Sequence, residues 1–172
     1  RTLYIYPWEE RLVSLLLYRT LNRRLDSQLS TSCYAYRWRG YGVDRCQQAI
    51  AQALRRIPKP CHVMKRDIAN FFPSIDHAIL IDRLRSLVEP GDYLFQLLSQ
   101  CVRFSYHDQG ELRTADRGVP FGTASACLLA NLYLLDLDRR LEAIPGITFF
   151  RYADDLLVLS SGEEGLSAAR RI

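Results

Sequence analysis

The sequence predicts an α+β fold, and three observations predict it. Several stretches repeat apolar residues at helical spacing. Two shorter runs, "CHVMKRDI" and "ITFFRYADDLLVLS", read as strands, and the second turns back on itself as a hairpin. Helices and strands are mixed without the regular alternation of a βαβ protein.

In chain order, "EERLVSLLLYRTLNRRLDSQL" reads as a helix with Leu12, Leu15, Leu16, Leu21 and Leu25 on its apolar stripe. "SCYAYRWRGYGVDR" is Gly-rich and aromatic and reads as a loop or hairpin. "DRCQQAIAQALRRI" is a second amphipathic helix, stopped by "PKP". The strand "CHVMKRDI" breaks at "FFPSID". Ser74 or Asp76 then caps the helix "HAILIDRLRSLV", which ends before Pro90–Gly91. "DYLFQLLSQCVRFSY" predicts a further helix, and "HDQGELRTADRGVPFG" a polar hairpin or loop. "TASACLLANLYLLDLDRRLEAI" predicts one long helix, ended by Pro145–Gly146.

Composition narrows the class. The 172 residues, 48% hydrophobic and 24% charged, suit one large or two small interlocked soluble domains with a sizeable core. A net charge of +4 favours an anionic partner only mildly. Cys33, Cys46, Cys61, Cys101 and Cys127 are odd in number, lack C-x-x-C spacing and lie among apolar residues. They read as reduced thiols of a cytoplasmic protein, not a disulfide frame or a zinc site. His62, His77 and His107 have no ligand spacing. No apolar run approaches a membrane span, and no stretch reads as a signal peptide. The absent initiator methionine and the ending "SAARRI" suggest a segment of a longer protein.

The chemistry concentrates on three aspartates. Asp67 ends a strand, which alone is the ordinary place for a cap or turn residue. Asp154 and Asp155 stand together between apolar strands, where two carboxylates repel unless a cation compensates them. Mg²⁺ is the natural cation for clustered carboxylate oxygens. Three aspartates converging from neighbouring strands can hold two such ions about 3.5–4 Å apart, as in-line phosphoryl displacement requires.

Three segments in order resemble the palm of a reverse transcriptase: "KRDIANFFPSIDHAIL" at 65–80, "RGVPFGTASACLLANLYLLDLD" at 117–138 and "YADD" at 152–155. Upstream, "RTLYIYPWEERLV" and "YAYRWRGYGVDRCQQAI" are similar to the fingers of the bacterial branch, which includes group II intron, retron and diversity-generating enzymes. The resemblance implies a polymerase right-hand fold, with an antiparallel palm sheet packed on helices and a fingers subdomain. Residues 1–60 would begin the fingers, 61–89 the palm with its first catalytic motif, 90–116 the fingers–palm connection and 117–172 the rest of the palm. The thumb would follow Ile172, as would a lysine-bearing palm motif.

The resemblance also implies roles. Asp67 and Asp154 bind two catalytic Mg²⁺ ions, for which Mn²⁺ can substitute, with Asp155 assisting and the Ile68 carbonyl a further ligand. Phe72 stands at the sugar gate, where a ring excludes a 2′-hydroxyl. Phe71 fits a core position better. Arg37 grips the triphosphate through its planar fork, with Arg39 the competing choice or a template contact. Gly122, after Pro120, lets backbone approach the nucleotide. Phe121 departs from the glutamine common in the family, resembles the diversity-generating pattern, and implies lowered fidelity because a phenylalanine cannot hydrogen-bond the incoming nucleotide. Asn131 and Tyr152 face template or primer.

The implied activity is RNA-directed DNA synthesis by a bacterial or phage enzyme. Its partners are an RNA template, a DNA or RNA primer and dNTPs, with a structured RNA of a host element a further candidate. Rivals are an RNA-directed RNA polymerase, which the bulk of Phe72 disfavours, and a palm-type cyclase, which would lack the "GVPFG" to "LAN" segment. A non-catalytic nucleic-acid-binding module is the third, disfavoured because all three carboxylates are present.

Overall fold

The computed structural model describes residues 3–172. In chain order the described residues form α1 (Trp8–Leu25), a 3₁₀ turn (Asp26–Gln28), α2 (Val43–Arg56), β1 (His62–Asp67) and a one-turn α3 (Phe71–Ser74). There follow α4 (His77–Leu87), α5 (Tyr93–Val102), β2 (Ser105–Asp108), β3 (Glu111–Thr114), α6 (Ala124–Tyr133) and α7 (Leu135–Glu142). The chain closes with β4 (Ile147–Tyr152), β5 (Asp155–Ser160) and α8 (Glu163–Arg170). The mixed helices and antiparallel strands are the α+β class expected. The chain divides into two compact units, residues 1–25 with 70–133, and residues 26–69 with 134–172.

The first unit is mainly helical. Small polar residues bring α1 against α6: the Ser14 and Ser125 hydroxyls lie 3.0 Å apart, and the Ser125 N–H donates to Ser14 Oγ at 3.1 Å. The buried stripe of α1 runs through Ser14, Leu17, Leu21 and Leu25. Leu12, Leu15 and Leu16, expected on that stripe, are exposed, because the stripe is centred on the Ser14 side of the helix. Asp76, not Ser74, caps α4, accepting from the N–H groups of Ala78 and Ile79 at 2.8 and 3.1 Å. Asp92 caps α5 in the same way. The helix expected to run to Tyr106 ends at Val102, where Arg103 leaves helical geometry, and Ser105 and Tyr106 enter β2. Gln109 and Gly110 both have positive φ, as a tight β2–β3 hairpin demands.

The second unit is a three-stranded antiparallel sheet in the order β1-β5-β4. Met64, Phe149, Leu156 and Val158 fill one face and pack with Leu141 of α7 and Leu166 and Ala169 of α8. Burying each such side chain fully contributes roughly 1.5–3 kcal/mol. On the other face, Phe150 and Leu159 pack against Cys46 of α2. The single helix expected over residues 123–144 breaks at Leu134 (φ −85°, ψ 3°). On α6 nearly every residue is buried, whereas α7 buries only Leu135, Asp138 and Leu141.

All five cysteines are free thiols. No helix among the described residues is long and apolar enough to cross a membrane.

Candidate functional site

The aspartates meet at one end of the three-stranded sheet. A two-residue connection, Ala153–Asp154, joins β4 to β5, and Tyr152 pairs with Asp155 across it. Ala153 has φ 56° and Asp154 is not among the positive-φ residues, the φ pattern of a type II′ turn. That position favours glycine, and an L-residue there costs about 1–2 kcal/mol. Surrounding contacts must therefore hold the turn.

Asp67 faces Asp155 directly in the β1–β5 register. Residues opposite each other on antiparallel strands project from the same face, so the two carboxylates share a rung. The Ile68 N–H donates to the Asp154 carbonyl at 3.3 Å and ties the end of β1 to the turn. Lys65, on the same face as Asp67, places its Nζ 3.4 Å from Asp155 Oδ1. Both groups are exposed, and such a pair contributes little to stability. Asp154 is 9% exposed. Among the described residues no three acidic, histidine or cysteine side chains are drawn together as a metal cage. The donor set is nonetheless hard carboxylate oxygen on adjacent backbone positions, which fits a divalent cation of the Mg²⁺ type. Like charges repel, and in this arrangement Asp155 takes Lys65 as its counter-charge.

Behind the turn lies a group that sequence reasoning missed. Arg151, 1% exposed, projects from β4 toward the core and meets Asp138 of α7, which is 0% exposed. The pair is bidentate, Nε to Oδ1 at 2.7 Å and Nη2 to Oδ2 at 2.6 Å. The remaining nitrogen, Nη1, donates to the Ala153 carbonyl at 3.1 Å. The Arg151 backbone is fixed as well: its N–H donates to the Ser32 carbonyl at 2.7 Å and its carbonyl accepts from Tyr34 at 2.8 Å. Burial pushes the Asp138 carboxyl up, and Arg151 pulls it back toward the ionised form. The signal was present in the sequence: Arg151 occupies a core-facing strand position and Asp138 sits between Leu135 and Leu141 in an apolar helix stripe.

The aromatic loop of this unit is held by another arginine. Arg37, whose side chain is 3% exposed, donates from Nε to Asp26 Oδ1 at 2.7 Å and from Nη1 to the carbonyls of Ser30 and Cys33. Its guanidinium also lies 3.9 Å from the Tyr41 ring centroid. Burial raises the Asp26 carboxyl, but the Arg37 hydrogen bond, the Trp38 N–H and the Arg37 charge together more than offset this and hold it below the usual carboxylate range. Arg37 is thus committed to its own segment, whereas Arg39 is exposed beside the Trp38 ring. Tyr152 is exposed at the rung it shares with Asp155.

The other expected residues belong to the first unit. Phe72, 2% exposed, packs edge-on against Phe121 with ring centroids 5.0 Å apart. Phe71 is buried too, against Phe72 and Tyr133. The segment before α6 wraps around α3: the Val119 N–H donates to the Phe72 carbonyl at 3.0 Å and the Gly118 N–H to Ile75 at 2.7 Å. Gly122 has φ 101° and precedes Thr123, whose hydroxyl donates to the Pro120 carbonyl at 2.9 Å. Asn131 is buried on α6.

A family model described as reverse transcriptase (RNA-dependent DNA polymerase) matches residues 9–172. No curated protein sequence matches the chain. Among solved structures, the chain resembles apo telomerase from Candida tropicalis truncated from its C-terminal domain, with TM-score 0.61, 10% identity and 94% of this chain covered. It also resembles a partial Cas6-RT-Cas1–Cas2 complex, with TM-score 0.52, 29% identity and 93% of this chain covered. The chain spans 35% of the former and 28% of the latter, about a third of each. The telomerase likeness reports on the fold.

The loop around α3 can be tested directly. Gly118 has φ 81°, and a Cβ there would stand 3.0 Å from the Pro73 Cα and carbonyl oxygen, both backbone. Gly110 has φ 88° with nothing near a Cβ. Gly118→Ala should therefore lower the thermal midpoint clearly more than Gly110→Ala, each carrying a backbone cost of about 1–2 kcal/mol. Equal losses in thermal unfolding would contradict the close packing of Gly118 on Pro73.

Proposed function

The chain belongs to the reverse transcriptase (RNA-dependent DNA polymerase) family, and from that premise we propose that it is the fingers–palm part of an RNA-directed DNA polymerase. In this reading it extends a primer 3′-hydroxyl with deoxynucleoside triphosphates on an RNA template. The observation that carries the reading is the shared rung of Asp67 and Asp155, with Asp154 in the adjoining turn.

On this proposal Asp67 and Asp154 hold two Mg²⁺ or Mn²⁺ ions, Asp155 assists, and the Ile68 carbonyl completes the donor set. Metal bound there would activate the primer hydroxyl and neutralise the leaving pyrophosphate. The protein's own part is positioning, since phosphoryl transfer asks little covalent chemistry of side chains. The sheet supplies it, because each carboxylate is mounted on or beside a strand whose opposite face is core. Metal bound there would compete with the Lys65 ammonium for the Asp155 carboxylate.

A triphosphate grip by Arg37 would require its guanidinium to leave Asp26. Arg39 already faces solvent and is the better placed of the two. Phe72 is assigned the sugar gate, with Phe121 packed edge-on as its support and Gly122 giving backbone access to the nucleotide. Tyr152 and Asn131 are assigned to primer or template. Fingers would comprise residues 1–60 and part of 90–116, and palm residues 61–89 and 117–172. Phe121, together with the upstream aromatic segments, supports placement near the diversity-generating enzymes of the bacterial branch.

Two measurements on the full-length protein test this reading. Asp154→Ala should abolish primer extension on an RNA template; a rate equal to wild type would remove Asp154 from the metal site, and a wild type that extends no primer would leave a nucleic-acid-binding module. Phe72→Ala should raise ribonucleotide incorporation relative to deoxynucleotide in the same assay. Unchanged sugar discrimination would remove Phe72 from the gate.

A further inference from the structure

Arg151 and Asp138 stand outside every role assigned so far, yet they touch the turn that carries Asp154. We propose that they are positioning residues, a buried clamp that holds the Ala153 carbonyl and thereby fixes how Asp154 and Asp155 are presented. The inference rests on the metal-site reading of those aspartates.

Three observations carry it. First, all three guanidinium nitrogens are assigned: two to the Asp138 carboxylate and the third to the Ala153 carbonyl. The planar fork of arginine allows this, and the single ammonium of lysine cannot reproduce it. Second, Ala153 holds a positive φ of 56° without being glycine, so the turn needs an external restraint. Third, the clamp is itself anchored. Arg151 is pinned through its backbone by Ser32 and Tyr34, and Asp138 sits in the core stripe of α7 with Leu135 and Leu141. The path from α7 to the aspartate turn is therefore a chain of hydrogen bonds with no exposed member. Partners of this kind orient metal-ligating groups without touching the metal.

The test compares wild type with Arg151→Lys in the full-length protein, by two readouts. Metal-free amide exchange at Ala153–Leu156 reads the turn itself, and the Mg²⁺ concentration for half-maximal primer extension reads the site. In Arg151→Lys, exchange at the turn should accelerate while the centre of β1 and β5 stays protected. The half-saturating Mg²⁺ should rise by about 10- to 100-fold, with the KM for dNTP unchanged. Ala153→Gly in the same background should recover part of the loss, since glycine takes the turn conformation unaided. Asp138→Asn keeps the arginine and the side-chain volume, and it carries the same expectation if Arg151→Lys does not fold.

Unchanged exchange and Mg²⁺ dependence would overturn the clamp, as would exchange rising equally across all three strands, or no recovery from Ala153→Gly. Failure of the underlying reading looks different. A wild type that extends no primer, or an Asp154→Ala variant that still does, removes the metal site while the exchange comparison still decides whether the clamp holds the turn.

Discussion

The register of β1 against β5 is the constraint on which the site depends. Met64 faces Val158 on the core side, and that pairing forces Asp67 to face Asp155 further along the strands. A one-residue slip of β1 along β5 would turn Met64 out of the core and send Asp67 to the face opposite Asp155. Hydrophobic burial, which is non-directional, thus fixes the face on which the carboxylates stand, and the paired register puts them on a shared rung. The two-residue connection then fixes β4 against β5, so the turn carrying Asp154 has no slack in length.

Within this frame the buried ion pair answers a separate problem. An aliphatic residue at position 151 would suit a core-facing strand position, and replacing a buried pair with apolar residues is often neutral or stabilising. Loss of one partner alone costs about 3–5 kcal/mol, because the other charge stays buried without compensation. Stability therefore does not account for an arginine there. Its bond to the Ala153 carbonyl does, because that bond holds a polar group of a strained turn, which apolar packing cannot satisfy. In this protein the apolar core sets where the strands lie, and the polar pair sets how their loop is held.

Much of this was legible in the sequence. The hairpin around "YADD", the strand before Asp67 and the helices on each side follow from periodicity and from Gly and Pro punctuation. What escaped has physical reasons. The break at Leu134 is invisible because apolar periodicity continues across it. The burial of Arg37 depends on Asp26, Ser30 and Cys33, loop partners that no local pattern announces. Phe71 and Phe72 are equally apolar in sequence and both are buried, so exposure does not separate core from gate. Arg151 and Asp138 were readable as charges in apolar stripes, but their pairing joins a helix to a strand and needed the fold.

The central claim is that strand register brings Asp67 and the aspartate turn into one metal site. Paramagnetic broadening of backbone amides during a Mn²⁺ titration of the full-length protein tests it most directly. The account predicts that the amides of Ile68, Asp154 and Asp155 broaden together, and that Asp67→Asn raises the Mn²⁺ needed at all three. Broadening that spares these amides, or that Asp67→Asn leaves unchanged at the turn, would contradict it.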